Sequence, residues 1–336
     1  MGKYVDDFEK RMAEYTGAKY AVACVNGTAA LHMAMIVAGV KQNDMVITQP
    51  LSFIATCNAI AYIGASPVFV DVDMDTMGLS PEKLKVYLSE NTAKKPDGFT
   101  WHKTTGQKIS ACVPMHTYGH PCRIDELAII CNEYNIALIE DAAESMGSYY
   151  RNKHTGTFGL LGTFSFNGNK TITCGGGGAI VTNNEVLAKK AKHLTTQAKV
   201  SHRWEFVHDE IGYNYRMPNI NAALMCAQLE QLNYFIENKR ELANAYSEFF
   251  KSTGIKFVKE PANSKSNYWL CAVLLADKRT RDEFLQYTND HGVMTRPAWT
   301  LMNKLTMFKD SIHGNLDNAQ YIEDRLVNIP SSARLK

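Results

Sequence analysis

The sequence predicts an α/β protein with a large, mostly parallel sheet and a smaller α+β unit after it. Three observations carry that prediction. Short β-branched or aromatic runs alternate with helical patterns through the first two-thirds of the chain. Those runs are apolar throughout rather than alternating, as buried parallel strands are. From about residue 219 the pattern changes to a long helical stretch followed by one strand and one helix.

The elements follow in order. YAVACV (20–25) precedes the helical TAALHMAMIVAG (28–39), and MVIT (45–48) precedes SFIATCNAIAYIG (52–64). PVFVDVD (67–73) leads to a helix near 80–90, and ISACVPM (109–115) precedes RIDELAIICNEYN (123–135). IALIEDAA (136–143), TFSF (163–166) and GAIVT (178–182) complete the strands of a predominantly parallel sheet. INAALMCAQLEQLNYFIENKRELANAYSEFFKSTG then reads as one long or broken helical stretch ending at a glycine. YWLCAVLLA (268–276), a helix at 280–291 and the loop TRPAWTL make the smaller unit. The division is placed at 1–225 and 226–336.

Composition narrows the function. The chain has 336 residues, 45% hydrophobic and 21% charged, with a formal net charge of +2. A balance so near neutral gives no reason to expect a nucleic acid or an anionic membrane as partner. Eight cysteines show neither a C-x-x-C pair nor a Cys/His zinc spacing, so no metal site is expected. Most sit in apolar runs, which points to a reducing, cytoplasmic setting. The sequence shows no signal segment and no apolar run long enough to span a bilayer.

In open parallel sheets ligands bind beyond the carboxyl ends of the strands, so the residues just after each strand carry the chemistry. FSFNGNKTITCGGGG places Lys170 before a run of four glycines. A phosphate loop needs the reverse order, G-x-x-x-x-G-K-[ST], so that reading fails. A lone lysine is ordinarily a surface residue, but one in a cleft can form a Schiff base with a carbonyl. Gly27, Thr28 and Ala29 open a helix after a strand, where free amides and the helix dipole suit a phosphate; Thr28 is equally a plain N-cap. Asp141 ends a strand and either caps the next helix or pairs with a cationic ring nitrogen. Phe53 is either core or a face for a flat ring. Ser165 can add a hydroxyl to the phosphate that Thr28 holds. A phosphate turn, a ring-facing aromatic, a carboxylate for a ring nitrogen and a later lysine, in that order, fit pyridoxal phosphate.

The chain resembles the DegT/DnrJ/EryC1/StrS sugar aminotransferases along nearly its whole length. GTAALH, PVFVDVD, EDAAE, FSFNGNK, GGGGAIV, EIGYNYRM and NIPSS carry the resemblance. FNGNKTITCGGGG, TTQAK and TRPAWT resemble most the branch that makes legionaminic-acid-like or bacillosamine-like precursors. The resemblance implies the fold type I architecture of pyridoxal-phosphate-dependent transferases, a homodimer with a shared active site, and a place in surface-polysaccharide biosynthesis. It implies that glutamate gives its amino group to the 4-keto carbon of a nucleotide-linked 4-keto-6-deoxy sugar, the cofactor alternating between pyridoxal and pyridoxamine phosphate.

By that resemblance Lys170 is the cofactor-linked lysine and the acid/base of the proton shift. Asp141 pairs with the ring nitrogen, Glu144 sits near the phenolic oxygen, and Phe53 stacks on the ring. Gly27, Thr28, Ala29 and Ser165 hold the phosphate, and Asn214 reaches the phosphate of the neighbouring subunit. Tyr118, Gln197 and Arg216 are candidates for substrate. Two departures stand out. Relatives carry a further segment ahead of GKYVDDFE that helps close the sugar-nucleotide site, and many have G-E-G-G where this chain has four glycines. Two rival functions remain: a pyridoxamine-dependent sugar dehydratase, which carries histidine where Lys170 stands, and a cofactor-binding regulatory homologue without turnover.

Overall fold

A computed structural model describes residues 2–334, and its centre is a seven-stranded sheet. Its strands in chain order are β1 (Tyr20–Cys24), β2 (Met45–Thr48), β3 (Ser66–Phe69), β4 (Ile109–Val113), β5 (Ala137–Asp141), β6 (Leu161–Ser165) and β7 (Gly178–Thr182). Across the sheet they run β1-β7-β6-β5-β4-β2-β3. The apolar runs are explained by their two covered faces. Val46, Val113 and Ile139 enter one core cluster, while their neighbours Ile47, Cys112 and Leu138 enter the cluster on the other side. Successive strand residues point to opposite faces, so both must be apolar.

β2 through β6 pair in parallel, while β7 runs antiparallel to both β6 and β1. No helix lies between β6 and β7. A parallel return needs a crossover, normally helical, so this chain simply folds back. β1 therefore shares the direction of β6. The carboxyl ends of β1, β4, β5 and β6 consequently face the same end of the sheet.

The covering helices are α1 (Lys3–Thr16), α2 (Gly27–Val37), α3 (Ile54–Tyr62), α4 (Pro81–Asn91), α5 (Ile124–Glu133) and α6 (Glu185–Thr195). Then α7 (Asn219–Phe250) leads into a four-stranded antiparallel sheet: β8 (Lys256–Phe257), β9 (Cys271–Leu274), β10 (Arg296–Pro297) and β11 (Leu326–Ile329). α8 (Lys278–Asp290) and α9 (Asp317–Glu323) accompany it.

The division expected at 225/226 falls inside α7, which runs through it unbroken. Residues of α7 as far as Ile236 pack with Phe8, Met12 and Phe166, whereas Ala243 packs with Val273 and Val327 of the second sheet. The two parts also interlock elsewhere. Buried Asp71, just past β3, accepts the amides of Asn318 (3.0 Å) and Ala319 (2.9 Å) at the start of α9. Leu51, Val72, Met77 and Tyr118 share one cluster with Trp269, Leu301 and Ile322. All eight cysteines are buried free thiols. Among the described residues no helix is long and apolar enough to cross a membrane.

Candidate active site

A cavity of about 290 Å³ lies beyond the carboxyl ends of β1, β5 and β6, and Trp269 and Trp299 of the C-terminal part help line it. Lys170 enters it from a turn in which its amide bonds to Asn167 O at 3.0 Å. Its Nζ lies 3.3 Å from Glu144 Oε1 and 4.1 Å from the centroid of the Trp269 ring. The surface reading of this lysine fails, since its side chain is only 11% exposed.

Glu144 is fully buried, and its Oε2 accepts the Tyr118 amide at 2.9 Å. Burial pushes its carboxyl up to about 7, with the Lys170 charge pulling the other way. Asp141 is buried at the end of β5. Its Oδ2 accepts Thr56 Oγ1 at 2.6 Å and its Oδ1 accepts the Ala143 amide at 3.1 Å. Burial raises this carboxyl too, countered by those two bonds and by Lys170. The strand end beneath is fixed by Glu140, whose carboxylate accepts His116 Nε2 (3.0 Å) and the amides of Gly156 (2.7 Å), Phe158 (2.6 Å) and Gly159 (2.7 Å).

At the start of α2 the N-cap is Asn26, not Thr28: Asn26 Oδ1 accepts the Ala29 amide at 2.8 Å. The first-turn amides of a helix have no carbonyl of their own helix to bond. With Ala29 taken by the cap, Gly27 and Thr28 are the first-turn residues that line the cavity. Gly27 lies so close to β6 that a Cβ there would meet Ser165 Cβ at 2.7 Å and Oγ at 3.0 Å. The hydroxyl of Ser165 thus stands against the helix end as an anion cradle. The glycine run makes that approach possible, because a Cβ on Gly178 would meet Asn26 O at 2.4 Å.

Phe53 is at the mouth of this cavity, 49% exposed and 6.2 Å from Trp299 in an edge contact, so it is not core. Lys170, Asp141, Glu144, Ser165, Gly27, Thr28 and Phe53 are therefore brought together. Four expected residues are not; Asn214, expected at the neighbouring subunit's phosphate, is a separate case. Ala29 is withdrawn by the cap. The Tyr118 ring is wholly buried, 4.8 Å from Trp299, so it serves as core while its amide holds Glu144. Gln197 lies exposed at a turn, its carbonyl bonded to His208 Nδ1. Arg216 donates to Asn214 Oδ1 (3.0 and 3.2 Å), and both line a separate depression beside Gly2 and Val25. Sequence reasoning passed over Asn26, Thr56, Trp269 and Trp299. Asn26 carried a usable signal, as a capping residue directly before a helix. Thr56 and the tryptophans come from segments distant in sequence and carried none.

The residues fit pyridoxal phosphate on three counts visible here. The helix end and Ser165 suit its phosphate, Asp141 suits a protonated ring nitrogen, and Lys170 suits its aldehyde. On a sheet of this order, that arrangement defines a pyridoxal-phosphate-dependent aminotransferase. The chain belongs to the DegT/DnrJ/EryC1/StrS aminotransferase family, whose sequence profile matches residues 1–336. It is 37% identical over 330 residues to a GDP-perosamine synthase of Escherichia coli O157:H7, covering 98% of this chain and 85% of that protein. A GDP-perosamine synthase of Vibrio cholerae is 34% identical over 310 residues, covering 92% and 80%. The crystal structure of a DegT DnrJ EryC1 StrS aminotransferase from Brucella abortus superposes with a TM-score of 0.90 at 27% identity, covering 100% of this chain and 87% of that one.

Proposed function

We propose that this protein moves an amino group from glutamate to the 4-keto carbon of a nucleotide-linked 4-keto-6-deoxy sugar. The observation that carries the proposal is the buried Lys170–Glu144 pair in a cavity that also holds Asp141 and the open end of α2. Bound pyridoxal phosphate supplies the electron sink for amino-group transfer. Asp141 would hold the ring nitrogen in its protonated form. Gly27, Thr28 and Ser165 would hold the phosphate, and Phe53 would lie against the ring.

Lys170 is the only lysine or arginine among the described residues lining the cavity. It moves the proton in both halves of the transfer, from glutamate and toward the sugar carbon. The aromatic walls, Trp269 and Trp299, keep bulk water from the amine. The family resemblance supports a homodimer in which Asn214, in the depression it shares with Arg216, serves the partner's phosphate. A native mass measurement showing only monomers under turnover conditions would remove that part of the reading.

Two relatives are named GDP-perosamine synthases, which supports a GDP-linked sugar. The resemblance to the legionaminic and bacillosamine branch supports a UDP-linked one. Both classes belong in one mass-spectrometric panel, each 4-keto-6-deoxy sugar nucleotide incubated with glutamate and protein. A product heavier by the exchange of =O for H and NH2, formed with 2-oxoglutarate, is the expected result. Lys170→Ala is expected to lose both the visible absorbance of the loaded protein and turnover. Full activity in that variant sinks the assignment.

A further inference from the structure

We propose that Trp269 and Asn267 are positioning residues that form, with Glu144, a seat for the free ε-ammonium of Lys170. The proposal rests on Lys170 being the reactive lysine. It concerns the stage of turnover at which that amine is detached and must wait within reach of the reacting carbon.

The seat has two walls. The carboxylate of Glu144 lies 3.3 Å from Nζ, and Nζ sits over the Trp269 ring, 4.1 Å from its centroid. Asp141 is the further charge that acts on the amine, from the strand end beneath. An ammonium between a carboxylate and an indole face is held by charge attraction and by the ring quadrupole together.

The second wall is fixed at three points. Trp269 Nε1 donates to Asn169 O at 2.8 Å, immediately before Lys170. Its main-chain amide donates to Asn267 Oδ1 at 2.8 Å, and its carbonyl accepts Lys239 Nζ at 3.2 Å. The two walls are also tied to each other by one buried side chain. Asn267 Nδ2 donates to Glu144 O at 2.8 Å and to Met146 O at 2.9 Å, and lies 3.3 Å from Thr171 Oγ1, next to the lysine. Asn267 thus joins the main chain behind Glu144, the residue after Lys170, and the ring opposite. The fit around it is close, since a Cβ on Gly119 would fall 1.9 Å from Asn267 Oδ1. A tryptophan needed only as core has no reason to be fastened to both the lysine's own turn and the carboxylate's support.

The test uses the cofactor-free full-length protein. A small acylating reagent at pH 8 labels lysines, and peptide mass spectrometry reads the rate at Lys170 against the remaining lysines. Without the ring, the ammonium loses one wall, and Trp269→Leu is expected to raise the Lys170 rate by about two- to thirtyfold. Trp269→Phe keeps a ring of weaker quadrupole and loses the bond to Asn169, so a smaller rise is expected. Asn267→Leu, which keeps the bulk, adds no charge and cannot donate to Glu144 O, is expected to raise it with the ring still present. A Lys170 rate equal to wild type in Trp269→Phe and Asn267→Leu, while Glu144→Gln raises it, overturns the proposal. If Trp269→Leu opens the fold, seen as a rise at every lysine, those two variants decide. Visible absorbance retained by Lys170→Ala would instead overturn the assignment of Lys170, so the two failures are distinguishable.

Discussion

Two donors, Thr56 Oγ1 and the Ala143 amide, favour the charged form of buried Asp141 against the burial that raises its pKa. A hydrogen bond to a charged group contributes about 1.5–3 kcal/mol, and valine copies the shape of threonine without the donor. Thr56→Val is therefore expected to weaken pyridoxal phosphate binding about tenfold, read by equilibrium titration of the visible band. An unchanged dissociation constant would show that Asp141 needs no help from α3. Glu144 gives a second prediction at this scale. Its carboxyl, pushed up to about 7, changes charge inside the working pH range beside Lys170. The pH profile of turnover should bend near 7 in the wild type, and Glu144→Gln should lose that bend. Sequence order marked Lys170, Asp141 and Ser165, because each stands at or just beyond the end of a strand and has a chemistry that suits such a place. Tyr118 was offered for the sugar pocket on resemblance alone, with core packing equally open, and its ring takes the core place. The chain there turns through φ +57 and drives the ring into the core.

The start of α2 shows how an element makes a site. The cap by Asn26, the missing side chain of Gly27 and the missing side chain of Gly178 together bring helix, β6 and β7 within contact. Gly27→Ala would press a methyl on Ser165, and overpacking of that kind costs typically about 1–3 kcal/mol. The expected outcome is a protein that folds with a lowered melting temperature and binds inorganic phosphate and cofactor far less well. Retained cofactor affinity would mean that the phosphate lies elsewhere. The apolar strand runs were legible because a doubly covered sheet leaves little choice of residue. The reversed direction of β7 was not, since GAIVT reads the same either way and only the helix-free link sets its sense.

Across the whole molecule, buried histidines set the acid limb of stability. His120 and His154 are held neutral, each pushed down to about 4 by burial, and neither His120 ring nitrogen has a hydrogen-bond partner among the described residues. Unfolding returns them to about 6.5, so the unfolded chain binds protons first and stability is lost as pH falls from 6.5 toward 4. Glu144 acts oppositely: raised in the folded state, it adds stability as pH falls from about 7 to 4.5. His120→Phe keeps the edge contact with Tyr268 and removes one titrating group. Its melting temperature should fall less between pH 6.5 and 4 than that of the wild type; an equal slope would refute the role. At this scale the two-part architecture was legible, yet the division was not, because α7 gives its first half to one core and its second to the other. The sheet order has one more consequence, for how the chain is made. β1 is an edge strand whose sheet partner, β7, begins at Gly178, so Cys24 waits for a residue more than a hundred positions away. Such a pairing is costly in chain entropy and slow to form. During synthesis the capped turn at Asn26 leaves the ribosome early but can become a phosphate site only after the glycine run has emerged. On the proposed reading a turn near the start of the chain is thus completed only from its middle, and a nascent chain ending before Gly178 should have no cofactor affinity.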